Sequence, residues 1–224
     1  MKGKIWLLAA LVGFLIGAAR QVEARDDFQY WPRFLFKLYN GDKFAFNLYS
    51  EGWIRDDASR LELFLISPKL VYKAHKNLNL QANYTYVGFR GPLRDDFHTM
   101  HRIEGEVNPY WTFKNGWKFI TRNRIEYRWI ELQGWDNTRM RNRLRLQIPT
   151  KNFGPMKSIY ADTEFFINFR KEEHDEQRTT PIGLNFRVLD PLDFQVFWMI
   201  QSKKLRNDWY SNQILGTMLT YRFY

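Results

Sequence analysis

The sequence predicts an all-β chain, a closed, antiparallel, up-and-down transmembrane β-barrel of about 10–12 strands. Three observations carry that reading. Apolar and polar residues alternate with period two through most of the chain after Arg25, the mark of strands with two unlike faces. The connections between these segments alternate between short and long, as expected of bacterial barrels with short periplasmic turns and longer outer loops. Aromatic residues make up 18% of the chain and stand near the ends of the apolar faces, where girdles at the two membrane interfaces would lie.

The first segment has the make-up of a leader. Lys2 and Lys4 precede an apolar run from Ile5 to Ala19, and Val22-Glu23-Ala24 offers a small-x-small cleavage site, so cleavage is expected after Ala24. The run ends at Arg20, short of the roughly 20 residues that span a bilayer. Residues 1–24 are therefore read as a cleaved signal peptide and 25–224 as one barrel domain, since no linker or low-complexity stretch divides them. The leader takes three cations and one anion with it, so the +10 of the whole chain becomes +8.

The strands follow in order. Phe34, Phe36 and Leu38 share one face and lead through Asn40-Gly41 to Phe44, Phe46 and Leu48; Asn-Gly is a strong hairpin signal because both residues tolerate positive φ. Leu61 to Tyr72 is apolar on both faces, which leaves its phase open. From Leu78 to Tyr86, leucines and tyrosines oppose Asn79, Gln81, Asn83 and Thr85. Ile103, Gly105, Val107, Trp111 and Phe113 oppose Arg102, Glu104, Glu106 and Asn108. Trp117, Phe119, Ile125, Tyr127 and Trp129 oppose Lys118, Arg122, Arg124, Glu126 and Arg128. Leu144, Leu146 and Ile148 oppose Arg141, Arg143 and Arg145; Ile159, Ala161, Phe165, Ile167 and Phe169 oppose Asp162, Glu164 and Asn168. Ile182 to Val188, Phe194 to Ile200 and Leu215 to Phe223 repeat the scheme.

That makes eleven candidate strands, whereas bacterial single-chain barrels have even counts. With both termini periplasmic the first connection should be external, yet Asn40-Gly41 has the form of a periplasmic turn. The expectation is therefore ten strands, with Phe28 to Tyr39 outside the count, or twelve, with one unseen. Long polar connections are expected near Arg55–Arg60, Arg90–Phe97, Glu131–Arg139, Lys171–Arg178 and Ser202–Asn212.

Alternation does not say which face points out. A soluble barrel buries its apolar face; a membrane barrel turns it to lipid. The loop rhythm, the terminal aromatics and the closing strand favour lipid. In that strand Leu219, Tyr221 and Phe223 resemble the C-terminal signal by which the barrel assembly machinery recognises its clients, with Tyr224 one residue beyond the apolar register. The expected location is the bacterial outer membrane, and the expected partners are its lipid and lipopolysaccharide.

The opposite face then lines a lumen. It carries nine cations (Arg102, Lys118, Arg122, Arg124, Arg128, Arg141, Arg143, Arg145 and Arg170) and five anions (Glu104, Glu106, Glu126, Asp162 and Glu164). Facing strands bring opposite charges together, and guanidinium groups bind carboxylate and phosphate in a bidentate manner. The leading reading is a narrow channel or solute-binding barrel favouring small anions. Lumenal ion pairs that plug the barrel, leaving a structural or adhesive role, form the alternative, since barrels of about eight strands are filled and those of 16 to 18 stand open.

A lipid- or lipopolysaccharide-modifying enzyme is a third class. With no cysteine the chain lacks a thiol nucleophile. Of His75, His98, His101 and His174, none shares a strand face with a neighbouring serine, and His98 and His101, three apart, face opposite sides. Glu104 and Glu106 share a face but have arginine neighbours, which points to ion pairing. No motif calls for a cofactor or metal, and Lys171 to Glu176 reads as a solvated charged loop. For an exported chain, positive charge points to anionic solutes or lipopolysaccharide rather than nucleic acid.

Several short pieces in sequence, Asp27-Phe28-Gln29-Tyr30-Trp31-Pro32, Arg55-Asp56-Asp57-Ala58-Ser59-Arg60-Leu61, Asn123 to Arg128, Arg141 to Arg145 and Tyr221-Arg222-Phe223, resemble the bacterial outer-membrane barrel family called domain of unknown function 2490. The resemblance spans the mature chain. It implies the barrel fold and the outer membrane, and no activity.

Overall fold

The computed structural model describes residues 23–90, 96–131, 133–150, 153–205 and 208–224, with backbone only for 23–26 and 135–137. The predicted leader lies outside the described residues except for Glu23 and Ala24. Eleven strands are formed: β1 (Glu23–Asn40), β2 (Phe44–Arg55), β3 (Arg60–His75), β4 (Leu78–Arg90), β5 (Phe97–Thr112), β6 (Lys118–Ile130), β7 (Gly134–Pro149), β8 (Met156–Asn168), β9 (Glu173–Leu189), β10 (Leu192–Leu205) and β11 (Asp208–Arg222). Each pairs antiparallel with its sequence neighbours, and β1 closes the barrel on β11.

That closing ladder is parallel, from Phe28↔Gln213 to Lys37↔Arg222, which corrects the expectation of a wholly antiparallel barrel with ten or twelve strands. An odd up-and-down count makes the first and last strands run the same way, so only a parallel ladder can join them. Such a ladder still pairs every backbone group, at slightly lower stability per residue. Closure, not parity, is what removes unpaired edges. Both the Phe28 to Tyr39 segment and the Asn40-Gly41 hairpin are therefore real. β1 begins at one end of the barrel, here the amino end, and β11 finishes at the other, the carboxyl end.

The predicted rhythm of short and long connections is not found. β7 starts at Gly134, β9 at Glu173 and β11 at Asp208, so much of the supposed loop sequence is strand. The start of β9, Glu173 to Arg178, is polar on both faces, which hides the period-two signal. Of the Arg90–Phe97 connection, residues 91–95 lie outside the described residues. The Arg55–Arg60 connection is a tight turn in which Asp56, Asp57 and Ala58 take φ of 54°, 54° and 60°. It hangs on β1: the Asp57 amide donates to Asp27 Oδ1 at 3.3 Å and the Ala58 amide to the Phe28 carbonyl at 3.2 Å.

The faces are those predicted. Ile103, Ile125 and Trp198 point outward, 56%, 54% and 49% exposed, while Glu126 points inward at 0%. β3 now has a phase, with Ile66, Leu70 and Tyr72 outward and Leu63, Leu65 and Ser67 inward. Rings gather outside in two bands. Towards the amino end, Tyr86 and Trp129 each approach His101, with centroids 5.5 and 5.3 Å away, and Phe64 meets Phe97 at 5.5 Å. Towards the carboxyl end, Phe44 meets Tyr72 at 5.2 Å, Trp111 meets Phe119 at 5.8 Å and Tyr221 meets Phe223 at 4.8 Å.

Inside, one register row alternates rings with glycines: Tyr160↔Gly183, Gly183↔Phe197, Phe197↔Gly216 and Gly216↔Trp31. A Cβ at Gly183 would lie 2.2 Å from the Tyr160 ring, and one at Gly216 1.9 Å from Phe197. The glycines let these rings lie flat on the neighbouring strand. Trp31 then stacks on Trp53 of β2, centroids 4.2 Å apart and 4° from parallel. Trp31, Tyr160, Phe197, Met199 and Ile214 form the largest apolar cluster inside the barrel.

Candidate functional site

The inward faces of β5 to β9 carry a grid of opposite charges. Glu126 sits at its centre, fully buried. Its carboxylate meets Arg139 and Arg141 at 2.7 Å, Arg124 at 3.3 Å and Arg102 at 3.7 Å. Arg124 also reaches Glu104 at 2.9 Å and Glu106. Glu164 accepts from Arg122 at 2.6 Å and Arg141 at 2.9 Å, and Asp162 from Arg145 at 2.7 Å. Glu176 takes Arg178 at 2.6 Å, Gln201 at 2.6 Å and Arg139 at 3.5 Å. Carboxylates near the grid also receive neutral donors: Asn83 donates to Glu104 at 3.1 Å and to Glu106 at 3.0 Å. A separate knot on β1 and β2 holds Glu51 between Arg33 at 3.1 Å, the Tyr49 hydroxyl at 2.6 Å and the Trp53 indole at 2.9 Å.

The sequence-predicted residues are thus brought together. Arg102, Glu104, Glu106, Arg122, Arg124, Arg128, Arg141, Arg143, Arg145, Asp162 and Glu164 all line one cavity of about 590 Å³, and Glu126 lies behind its arginines. Arg170 does not belong: it stands exposed in the turn after β8. Arg139, Glu176 and Arg178 were missed because their segments read as loops, and Arg33, Glu51 and Lys69 because each stands isolated among uncharged neighbours. Among the residues that line the cavity, fourteen are lysine or arginine and seven are carboxylates.

The lumen is filled unevenly along its axis. In the amino half Leu63, Leu65 and Val87 pack with Trp53, Phe89 and Met100. Arg178 reaches from β9 to the far wall, its guanidinium 5.0 Å from the Trp31 and Trp53 ring centres and 4.8 Å from Phe166. Gln29, Phe166, Gln201 and Ile214 are buried at the same level. At the amino rim the Thr99 amide donates to Glu131 at 2.7 Å and its hydroxyl at 3.2 Å, which holds that carboxyl below the usual carboxylate range.

The carboxyl half is open by contrast. A second cavity of about 600 Å³ lies there, lined by Lys37, Lys73, Lys76, His75, Asp42, Tyr110 and Tyr224 among others. Asn47, Gln81 and Asn108 line both cavities, so the two adjoin at a threshold of amide side chains.

Of the histidines, His101 faces outward with its Nδ1 2.6 Å from the Tyr84 hydroxyl, while His98 lies 3.8 Å from Glu131. Among the described residues, no group of three or more histidines, aspartates or glutamates is placed to hold a metal ion.

Neither a curated protein nor a solved structure matches the chain. The family model described as "Protein of unknown function (DUF2490)" matches residues 28–212. That span runs from the first regular pair of the closing ladder, through the whole charged grid, into β11, and it includes three of the five pieces that carry the resemblance and all of a fourth but Asp27. The chain belongs to the DUF2490 family.

Proposed function

We propose that this chain is a bacterial outer-membrane barrel, exported by a leader that is cleaved after Ala24, whose lumen favours small anions as a narrow channel or solute-binding barrel. The observation that carries the reading is the two-to-one excess of cationic over anionic side chains on the cavity wall. In a confined, low-dielectric space that excess is screened less than at an open surface and concentrates anions. The outward apolar face and its two aromatic bands support the membrane setting. In that setting outer-membrane lipid and lipopolysaccharide cover the outside, and Leu219 and Tyr221 on β11 and Phe223 just beyond it, all exposed, are presented to the assembly machinery.

The four-armed ion pairing of Glu126 favours a second reading, a barrel plugged by its own charges. Planar-bilayer recording separates the two. Stepwise, anion-selective current that weakens when Arg124 and Arg143 become glutamine is the expected result for a channel. Silence, with no anion bound by the folded barrel in solution, leaves the plugged barrel and a structural or adhesive role.

A further inference from the structure

Among the described residues three cations on the cavity wall, Lys69, Arg143 and Lys203, make no ion pair, and Lys203, on β10, lies apart from the other two near the amino end of the barrel. Arg143 lies between Arg122 and Glu164 in register, yet Glu164 is taken by Arg122 and Arg141. On the other side Asp162 is taken by Arg145. The Arg143 Nε is buried without a hydrogen-bond partner. Lys69 enters from β3, its Nζ 4.3 Å from the Tyr49 ring centre. Neither side chain makes an ion pair or a side-chain hydrogen bond among the described residues. Arg122 lies within electrostatic reach of both, while Glu104 and Glu106 act on Lys69 and Asp162 and Glu164 on Arg143 without bonding to them. The Arg143 Nε still lacks an acceptor, so this spot is poised for a ligand oxygen bearing negative charge.

The cavity that holds Lys69 and Arg143 runs along the barrel axis, and Arg55, Glu62 and Arg90 line it towards the amino end. On β4 itself, Gln81 lines both cavities, while Val87, further along towards the amino end, is fully buried against Leu63 and Leu65. The lysines of the carboxyl-end cavity lead inward past Asn47, Gln81 and Asn108 to Lys69 and Arg143. The barrel wall separates this space from the surrounding lipid, so the ligand is soluble and small.

We infer that Lys69 and Arg143 form a binding site for a small soluble oxyanion inside the barrel. The inference rests on the reading of the lumen as anion-favouring and adds the site. Lysine supplies a point charge and arginine a fork of donors that matches two oxygens of a phosphate or carboxylate.

The test uses the folded full-length mature chain in detergent with inorganic phosphate as the probe, titrated by calorimetry. Arg143→Gln and Lys69→Gln should each weaken binding roughly tenfold, the loss of one charge-assisted contact, and Arg143→Lys should retain part of it. The chain has no cysteine, so single cysteines report access cleanly. Gln81→Cys should react with an anionic methanethiosulfonate and be protected by phosphate. Phosphate binding that ignores both substitutions, or Gln81→Cys left unprotected by phosphate, overturns the inference and leaves the anion-favouring lumen standing. Absence of any phosphate binding together with absence of anion current removes both.

Discussion

Glu126 is where the lumenal charges converge, and its surroundings decide what a single change does there. Four guanidinium groups share one fully buried carboxylate. Burying a carboxylate is costly, and only several strong donors offset that cost. Removing its charge leaves four arginines close together with too few anions between them. Glu126→Gln keeps the volume and some hydrogen bonds, so the loss is electrostatic rather than steric. Removing one partner from a buried ionic cluster costs about 3–5 kcal/mol, and that fall in unfolding free energy is expected from guanidinium titrations of the mature chain in micelles. A midpoint unchanged from the parent would mean that water within the lumen screens the cluster and that the grid is not structural.

At the level of strands, the row of rings and glycines gives the sharper prediction. Phe197 occupies the space above Gly216, where a methyl would lie 1.9 Å from the ring. The ring cannot simply rotate away, because it belongs to the cluster of Trp31, Tyr160, Met199 and Ile214. Gly216→Ala should therefore destabilise the barrel by about 1–3 kcal/mol, the usual cost of overpacking, although alanine is otherwise the better strand residue. A shift of the denaturation midpoint in the opposite direction would sink the idea. This row was not legible in the sequence. A glycine and the ring that covers it sit on different strands, and nothing local in a sequence gives cross-strand register. The faces of β4 to β8, by contrast, were legible, because period two is a property of each strand alone and the charges of Arg102 to Glu106 or Arg141 to Arg145 mark it plainly. The phase of β3 was not, since Leu63, Leu65, Ile66 and Leu70 supply apolar side chains to both faces. Arg139, Glu176 and Arg178 were hidden for a third reason. They sit on strand ends where outward residues such as Thr138 and Gln177 are polar too, and a strand polar on both sides looks like a loop. The even count failed because it is a regularity of other barrels, whereas the closing ladder of this one follows from chain direction.

For the molecule as a whole, closure and the two outer ring bands support the proposal of lipid outside. On β5, His101 belongs to the amino band and Trp111 to the carboxyl band. Their separation of ten residues covers roughly 33 Å of strand at about 3.3 Å per residue. With strands tilted by about 40° this is about 25 Å along the axis, the height of the apolar band of an outer-membrane barrel. A soluble barrel has no reason to space its rings so, nor to leave Ile103, Val107, Ile125 and Leu144 exposed between them while Glu126 is buried. The arrangement makes opposite predictions for two tryptophans. Trp198 is 49% exposed on the outer face of β10, and Trp31 is buried inside at 0%. In vesicles containing brominated phospholipid, replacing Trp198 by phenylalanine should reduce the fraction of tryptophan emission that the lipid quenches. Replacing Trp31 should raise that fraction, because an unquenched emitter has gone. Trp111, on the outer face of the carboxyl band, should behave like Trp198. If Trp31 proves to be the quenched residue and Trp198 the shielded one, the apolar face is turned inward, and the lumenal charge grid, the anion site and the membrane setting fall together.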